Sequence, residues 1–495
     1  MKWTVAVALV LALPLWLVGQ PAMPDYPAHL ASYWLIAGGA SPFYHVHWAF
    51  IPNLAGEIVV PPLSKLFGVD AAARFFISLG VVLWVVGPAL IQRALHGRVG
   101  VAAAFAALFA YNANFTWGFL NYYFAMGAGF VFFAAWIASD KRAWHLACFA
   151  LAATAIYFCH LFALAVLVLT IAGWELRSRR PYPQRLGAIA VTFAPAALAF
   201  ALLKPVGDGT GGLAFDFLDT ALDKAGAAIQ LTYDNPSFVL LGLLAVLFAS
   251  GLWQGWIKVH ERMRVPLLLV GIATVLAPEW AMGGWAVHMR LPAVFGALLF
   301  ASSAFELEAR ARLALAGAAV LALLCNVLAL AHDWRDTDAQ YAEFRDVARR
   351  LPKGKRLMTV LDGDAIGWRS DQPYWHMAEF AAIDAQAFTP LLFTTRGQHV
   401  VQLDAADRAI AAATAQQGSP PDIDELDDLA QGKVDEDEDI RNVFPYLMRF
   451  QCRYDVAVVV HLNGPRARVP DMLSLRHAGS FFSLYDVKRD ASCAR

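Results

Sequence analysis

The sequence predicts a mainly α-helical, polytopic membrane protein of about eleven spanning helices, followed by a small α/β domain outside the bilayer. Three observations carry that expectation. The 495-residue chain is 59% hydrophobic and only 16% charged, a composition far from that of ordinary soluble domains. Its apolar residues fall into successive long runs that end near residue 331. Basic residues then divide unevenly between alternate connections, as in proteins with a fixed orientation in a membrane.

Taken in order, Lys2 precedes an apolar run to Val18 that fits either a signal peptide or a first spanning helix. The following Gly19-Gln-Pro-Ala22 is a poor small-residue cleavage site, which favours an uncleaved anchor. Residues 20–50 contain no Lys or Arg and read as the start of a first outer loop, 20–72, with surface-lying helices. The stretch Ile51 to Phe67 is apolar but carries Pro52, Asn53, Glu57, Pro61, Pro62 and Lys65, breakers and charges that argue for a helix on the outer face over a span. Further apolar runs follow at 73–94, 99–113, 118–138, 143–158, 161–175, 186–203, 237–257, 265–281, 290–305 and 312–331. Several fall short of the roughly 20 residues that a perpendicular span needs.

With eleven spans and a cytoplasmic N-terminus, the inner connections hold fourteen basic residues, most of them between Lys141 and Arg264. The outer connections before the tail hold five: Lys65, Arg74, Lys204, Lys224 and Arg290. This bias puts the membrane domain at 1–332 and places an α/β domain, 333–495, on the outer side, which in a bacterial inner membrane is the periplasm. Tyr341 to Arg350 has helical spacing, while Arg356–Leu361, Asp455–His461 and Ser480–Asp486 read as strands. Residues 418–439 contain ten acidic residues and one lysine; they read as a solvated flexible loop, with a cation or basic-partner site as the alternative. Cys452 and Cys493 are expected to pair in an oxidising compartment, whereas Cys148, Cys159 and Cys325 lie in apolar runs.

The net charge of -1 gives no bias toward nucleic acid, and no nucleic-acid motif is present. Nor is there a phosphate-binding glycine loop, dinucleotide fingerprint, zinc helix or nucleophile elbow. Instead, this topology gathers ionisable and amide residues on the outer face, where charge at membrane depth marks a site. Asp25 and His29 open the first loop, one helical turn apart. His45 and His47 follow, open to a metal-binding or an interfacial role. Asn112, Asn114 and Asn121 flank the next outer turn, and His160 sits at the apex of a short hairpin. Asp208, Asp216, Asp219, Asp223 and Asp234 occupy one outer loop, and Glu279, His288 and Arg290 the last. Each has a second reading. Asp25 can act as an acid or base or cap the helix Pro27–Ile36; Arg290 can clasp a phosphate or snorkel to headgroups; His160 can be an interior hydrogen-bonding residue. Trp34, Trp48, Trp117 and Trp285 suit sugar stacking or an interfacial belt.

Asp25-Tyr-Pro-Ala-His29, Gly118-Phe-Leu-Asn-Tyr-Tyr-Phe124, Tyr157-Phe-Cys-His-Leu-Phe162 and Met289-Arg-Leu-Pro292 look like segments of bacterial membrane proteins with this layout. The arrangement of an uncleaved first helix, an acidic first outer loop, about ten more spans and an outer tail resembles the GT-C superfamily of polytopic glycosyltransferases. That resemblance implies a sugar donor carried on a polyprenyl phosphate, within a membrane-lipid environment, and a glycan, lipid or protein acceptor at the outer face. It implies Asp25 as general base, with His29 beside it, and Arg290 as the holder of the lipid phosphate, with His160, His288, Asn121 and Glu279 as further substrate-binding candidates. Many members pair two acidic residues in the first loop; here Asp25 stands alone, so a divalent metal is possible and no cofactor is certain. A transporter or lipid flippase, and an inert anchor for the tail, are the competing readings.

Overall fold

The computed structural model describes residues 2–203, 219–231, 237–282, 284–363, 371–408, 410–411, 419–431, 433, 444–463, 468–489 and 493. Asp208, Asp216 and Asp234 lie outside the described residues.

Each expected apolar run contains a helix. The first, α1 (Lys2–Ala12), passes into α2 (Pro14–Leu17), where Pro14 starts a new turn because it lacks the N–H that would continue α1. Between α2 and α5 stand α3 (Tyr26–Ile36), β1 (Tyr44–Val46) and α4 (Ala55–Phe67). The last has 13 residues and carries Pro61 and Pro62. The remaining helices are α5 (Val69–His96), α6 (Val101–Ala107), α7 (Ala113–Trp117), α8 (Leu120–Ala138), α9 (Ala143–Cys159), α10 (Leu161–Leu176), α11 (Tyr182–Leu202), α12 (Asp219–Ala228), α13 (Phe238–Trp253), α14 (Arg264–Leu276), α15 (Pro292–Ala301) and α16 (Ala309–Ala348). Among the described residues, α5, α8, α11 and α16 are long and apolar enough to cross a bilayer unaided; the others are shorter.

Close packing of α5 on α8 forms the centre of the bundle. A Cβ on Gly87 would lie 2.5 Å from Phe130 Cβ, and one on Gly127 would lie 2.7 Å from Leu83 Cβ. Glycine at these positions lets the two backbones approach, the usual device where lipid supplies no hydrophobic drive between helices. Trp84 fixes the register by donating from Nε1 to the Tyr123 carbonyl at 2.8 Å and stacking on that ring.

The tail departs from the expected boundary at 332. Composition changes there, but α16 does not end: with no proline between Ala309 and Ala348 it continues as one 40-residue helix. Beyond it, β4 (Leu357–Asp362), β6 (Val456–His461), β7 (Leu473–Ala478) and β8 (Phe482–Val487) form a sheet in the order β4-β6-β8-β7, parallel only between β4 and β6. Edge strand β7 has no predicted counterpart, since its apolar/polar alternation runs only from Leu473 to Arg476 before His477 breaks it. The acidic stretch is corrected in part. Residues Ile423–Gln431 form a helix whose entry is closed by reciprocal bonds, Asp422 N–H to Glu425 Oε2 and Glu425 N–H to Asp422 Oδ1, both 2.8 Å. This capping box seats Ile423 and Leu426 in the core; residues 434–439 lie outside the described set. Cys452 and Cys493 are disulfide-bonded, with Cα atoms 5.2 Å apart.

The tail and the segment between α2 and α4 share one core. Strand β1 pairs antiparallel with β5 (Val401–Leu403), and Tyr44 reaches Thr389 with its hydroxyl. Ala28, Ala31, Leu35 and Phe43 pack with Met358, Val360 and Ala457 of the sheet. Asp338 of α16 accepts the backbone N–H groups of Gly19 and Gln20. Arg345 of α16 holds Asp384, at the end of α17 (Phe380–Asp384), through two bonds of 2.8 and 3.1 Å, and also reaches Asp70 at 3.3 Å. Removing a partner from so buried a pair strands a charge, so Asp384→Ala is expected to cost about 3 kcal/mol. Thermal unfolding of the detergent-purified protein, with Arg345→Met/Asp384→Leu recovering part of the loss, checks this.

Candidate active site

Asp25 stands at the N-terminal end of α3, but its side chain makes no capping hydrogen bond. Its backbone N–H instead donates to the Trp117 carbonyl at 3.0 Å, at the end of α7. There Gly118 turns with φ +88°, and a Cβ would lie 3.2 Å from Asp25 Cβ; glycine allows this turn to press against the aspartate. The carboxyl, left free of its helix, points into a cavity of about 280 Å³ that Arg290, His29, His160 and Asn121 also line.

Arg290 follows the short turn Val287–Met289 and precedes α15. It does not snorkel: only 9% of the residue is exposed, and its guanidinium lies over the rings of Phe119, Tyr122 and Phe162 at 5.0, 5.4 and 5.5 Å. Nη2 donates to the Trp285 carbonyl at 3.2 Å, and Nη1 lies 2.9 Å from His160 Nε2. A guanidinium has no acceptor to offer, so His160 faces Arg290 with Nε2 as acceptor, while the Phe162 backbone N–H points at its Nδ1 at 3.2 Å. His160 reaches this position because the helical run breaks there, ending α9 and starting α10. Arg290 Nε is buried with no hydrogen-bond partner. Asp25 and Arg290 thus share the cavity without forming an ion pair with each other.

Burial raises the Asp25 carboxyl to about 8, against the opposing pull of Arg290. His29 is pushed down to about 3, first by burial and then by His399 and His376. It does not bond Asp25; its ring stacks on Tyr33 and meets Phe393 edge-on at 5.2 Å. Asn121 accepts the Gly56 N–H at 2.7 Å and donates to Glu57 Oε2 at 2.9 Å and to Asn53, so its amide is spent tying α8 to α4. Glu279 accepts from Trp285 Nε1 at 3.0 Å, and His288 is 1% exposed with Nε2 3.6 Å from Asp223. Neither lines the cavity. Trp117 and Trp285 do, packed edge to face at 4.9 Å. Trp48 is exposed on the first loop, and His45 lies near Asp404 at 3.5 Å. No group of three His, Cys, Asp or Glu suited to a metal occurs among the described residues.

Sequence reasoning missed the tail's contribution. His376 Nε2 lies 3.8 Å from Asp25 Oδ1, and its Nδ1 is 3.9 Å from Glu379. Trp375, Phe393 and His399 complete the wall, with Phe393 against His29, His376 and His399 together. Burial pushes His376 and His399 to about 4. The one signal available was two histidines, His376 and His399, among aromatics within a short stretch of an otherwise mixed-charge tail.

Two solved structures match this whole architecture. The crystal structure of ArnT from Cupriavidus metallidurans bound to undecaprenyl phosphate superposes with a TM-score of 0.51 at 14% identity, covering 99% of this chain and 98% of that one. Arabinofuranosyltransferase AftD from Mycobacteria, seen by electron cryomicroscopy, gives 0.50 at 16% identity over 99% of this chain and 42% of that one. Both are GT-C membrane glycosyltransferases. The chain has the GT-C fold. No protein-family model matches the sequence, and no curated protein matches it significantly. For a GT-C chain the placement of Asp25 fixes a measurable proton: infrared difference spectra of wild type against Asp25→Asn are expected to show a protonated carboxyl at neutral pH that disappears as pH rises through about 8. A carboxylate band at pH 6 in that difference contradicts the burial argument.

Proposed function

We propose that this protein is a membrane glycosyltransferase that moves a sugar from a polyprenyl-phosphate-linked donor to an acceptor at the outer, periplasmic face of a bacterial inner membrane. The observation that carries the proposal is a buried guanidinium with an orphaned N–H in the same cavity as an uncapped carboxyl that makes no ion pair with it. The GT-C fold supports the reaction class, and the undecaprenyl phosphate in the ArnT structure supports the type of lipid.

In this reading the lipid phosphate occupies Arg290, whose unpaired donors and aromatic surround hold it from several sides. The acceptor hydroxyl lies against Asp25. As its oxygen bonds to the anomeric carbon, the bond from that carbon to the phosphate oxygen breaks, and the electron pair leaves on the phosphate facing Arg290. Asp25 takes the acceptor proton. His160 orients the guanidinium. Trp117 and Trp285 offer faces for the sugar.

A transport pathway is not favoured, because the second large cavity, at the opposite ends of α10 and α15, shares no lining residue with this one.

Mass spectrometry of envelope glycans and lipid-linked sugars in a deletion strain tests the proposal. Loss of one glycan with build-up of its lipid-linked precursor is expected. Wild type restores it, whereas Asp25→Asn is expected to be about 10²–10⁴-fold slower, and full restoration by that variant overturns the role of Asp25. The base must be deprotonated to act, so the rate of the wild type is expected to rise as pH rises through about 8. Arg290→Lys is expected to raise the KM for the lipid donor more than it lowers kcat, since it keeps the charge and loses the fork.

A further inference from the structure

A second cavity, of about 2330 Å³, opens at the far ends of the helices that frame the first. His160 and Arg290 mark the starts of α10 and α15; the new cavity is lined from Trp174 and Glu175 at the end of α10 and from Phe295, Ala304 and Glu306 along and beyond α15. The 16 residues of α10 separate the two by about 24 Å, so they open on opposite faces.

Its mouth is ringed by arginine. Arg177, Arg179 and Arg180 come from the turn after α10, Arg185 from the first turn of α11, and Arg262 and Arg264 from the entry to α14. Among the described residues, none of the six makes an ion pair with a carboxylate. By contrast, Lys258 on the same rim is paired with Glu306. The unpaired side chains are held in place by other contacts. Arg262 lies 3.7 Å over the Trp174 ring and its Nε is buried without a partner. Arg185 donates to the carbonyls of Arg180 and Glu175, and Arg180 to that of Ser139. Their positive charge is therefore concentrated and oriented, unlike that of Arg93, Arg310 and Arg312, which do not line the cavity. Behind the mouth the wall is apolar: Leu268, Ile272 and Val275 of α14 are 60%, 47% and 65% exposed, with Phe295 opposite.

We propose that this cleft is a binding site for an anionic phospholipid of the leaflet facing away from Asp25, its phosphate held by Arg180, Arg262 and Arg264 and one chain lying along α14. Charge complementarity selects the headgroup. A water-filled apolar wall would be unfavourable, and an acyl chain covers it. The proposal stands independently of sugar transfer.

Native mass spectrometry of the delipidated full-length protein, titrated with phosphatidylglycerol, reads the site directly. Arg180→Gln/Arg262→Gln/Arg264→Gln is expected to weaken binding at least about tenfold. Arg93→Gln/Arg310→Gln/Arg312→Gln, which removes the same charge from the same face, leaves it unchanged. Ile272→Trp, which fills the wall without touching a charge, reproduces the loss. Equal weakening by both arginine sets means diffuse surface attraction and overturns the proposal, as does unchanged affinity in Ile272→Trp. Competition by inorganic phosphate at equal concentration assigns the site to a free anion and overturns the lipid.

Discussion

Two ionisable groups of opposite sign share one small cavity without touching, and the surrounding structure exists to keep them so. An exposed Asp25 would be an ordinary carboxylate. Here burial outweighs the attraction of Arg290, and the carboxyl is held protonated near neutrality. Arg290 is likewise kept from its simplest partner: His160 and the Trp285 carbonyl occupy two of its nitrogens, aromatic rings take its faces, and one N–H is left over. Joined directly, the two would neutralise each other. Kept apart, they form a polarised gap that can receive a donor oxygen on one side and an anion on the other.

Five remote segments hold that gap open. The start of α3 and the α7–α8 turn place the acid; the break between α9 and α10 and the turn before α15 place the guanidinium; the tail closes the wall through His376, Phe393 and His399. The tail can do this because it is not a separate module. The β1–β5 ladder, the Tyr44–Thr389 bonds and the Arg345–Asp70 pair lock it to the segment between α2 and the start of α5. Each kind of contact is modest alone, but they all restrain the same surface. Water exclusion at Asp25 is thus tied to the integrity of the far end of the chain.

Much of this was legible in the sequence, for reasons that also explain what was not. Apolar runs announce helices through burial, so every run contains one; the strands β4, β6 and β8 announce themselves through their high content of Val, Leu and Phe. Asp25 and Arg290 stood out because charge beside an apolar run is costly. Partners across long sequence separations leave no such mark. Nothing local in His376 or Phe393 says that they face His29, and the β1–β5 pairing joins two three-residue strands too short to show a period. Composition misled at residue 332, where residue type changes but helix geometry does not. It misled again in the acidic stretch, where a capping box within the charges starts a helix. Glu279 and His288 lie near Arg290 in sequence, but the turn before α15 directs their side chains away from the cavity.

The central claim is that an anionic lipid phosphate completes the gap. Electron cryomicroscopy of Asp25→Asn incubated with undecaprenyl phosphate tests it most directly. The account predicts density for the phosphate within hydrogen-bonding distance of the Arg290 guanidinium, on the side facing residue 25, with the isoprenoid chain leaving between helices. A phosphate bound elsewhere, with Arg290 still facing only His160 and Trp285, would contradict it.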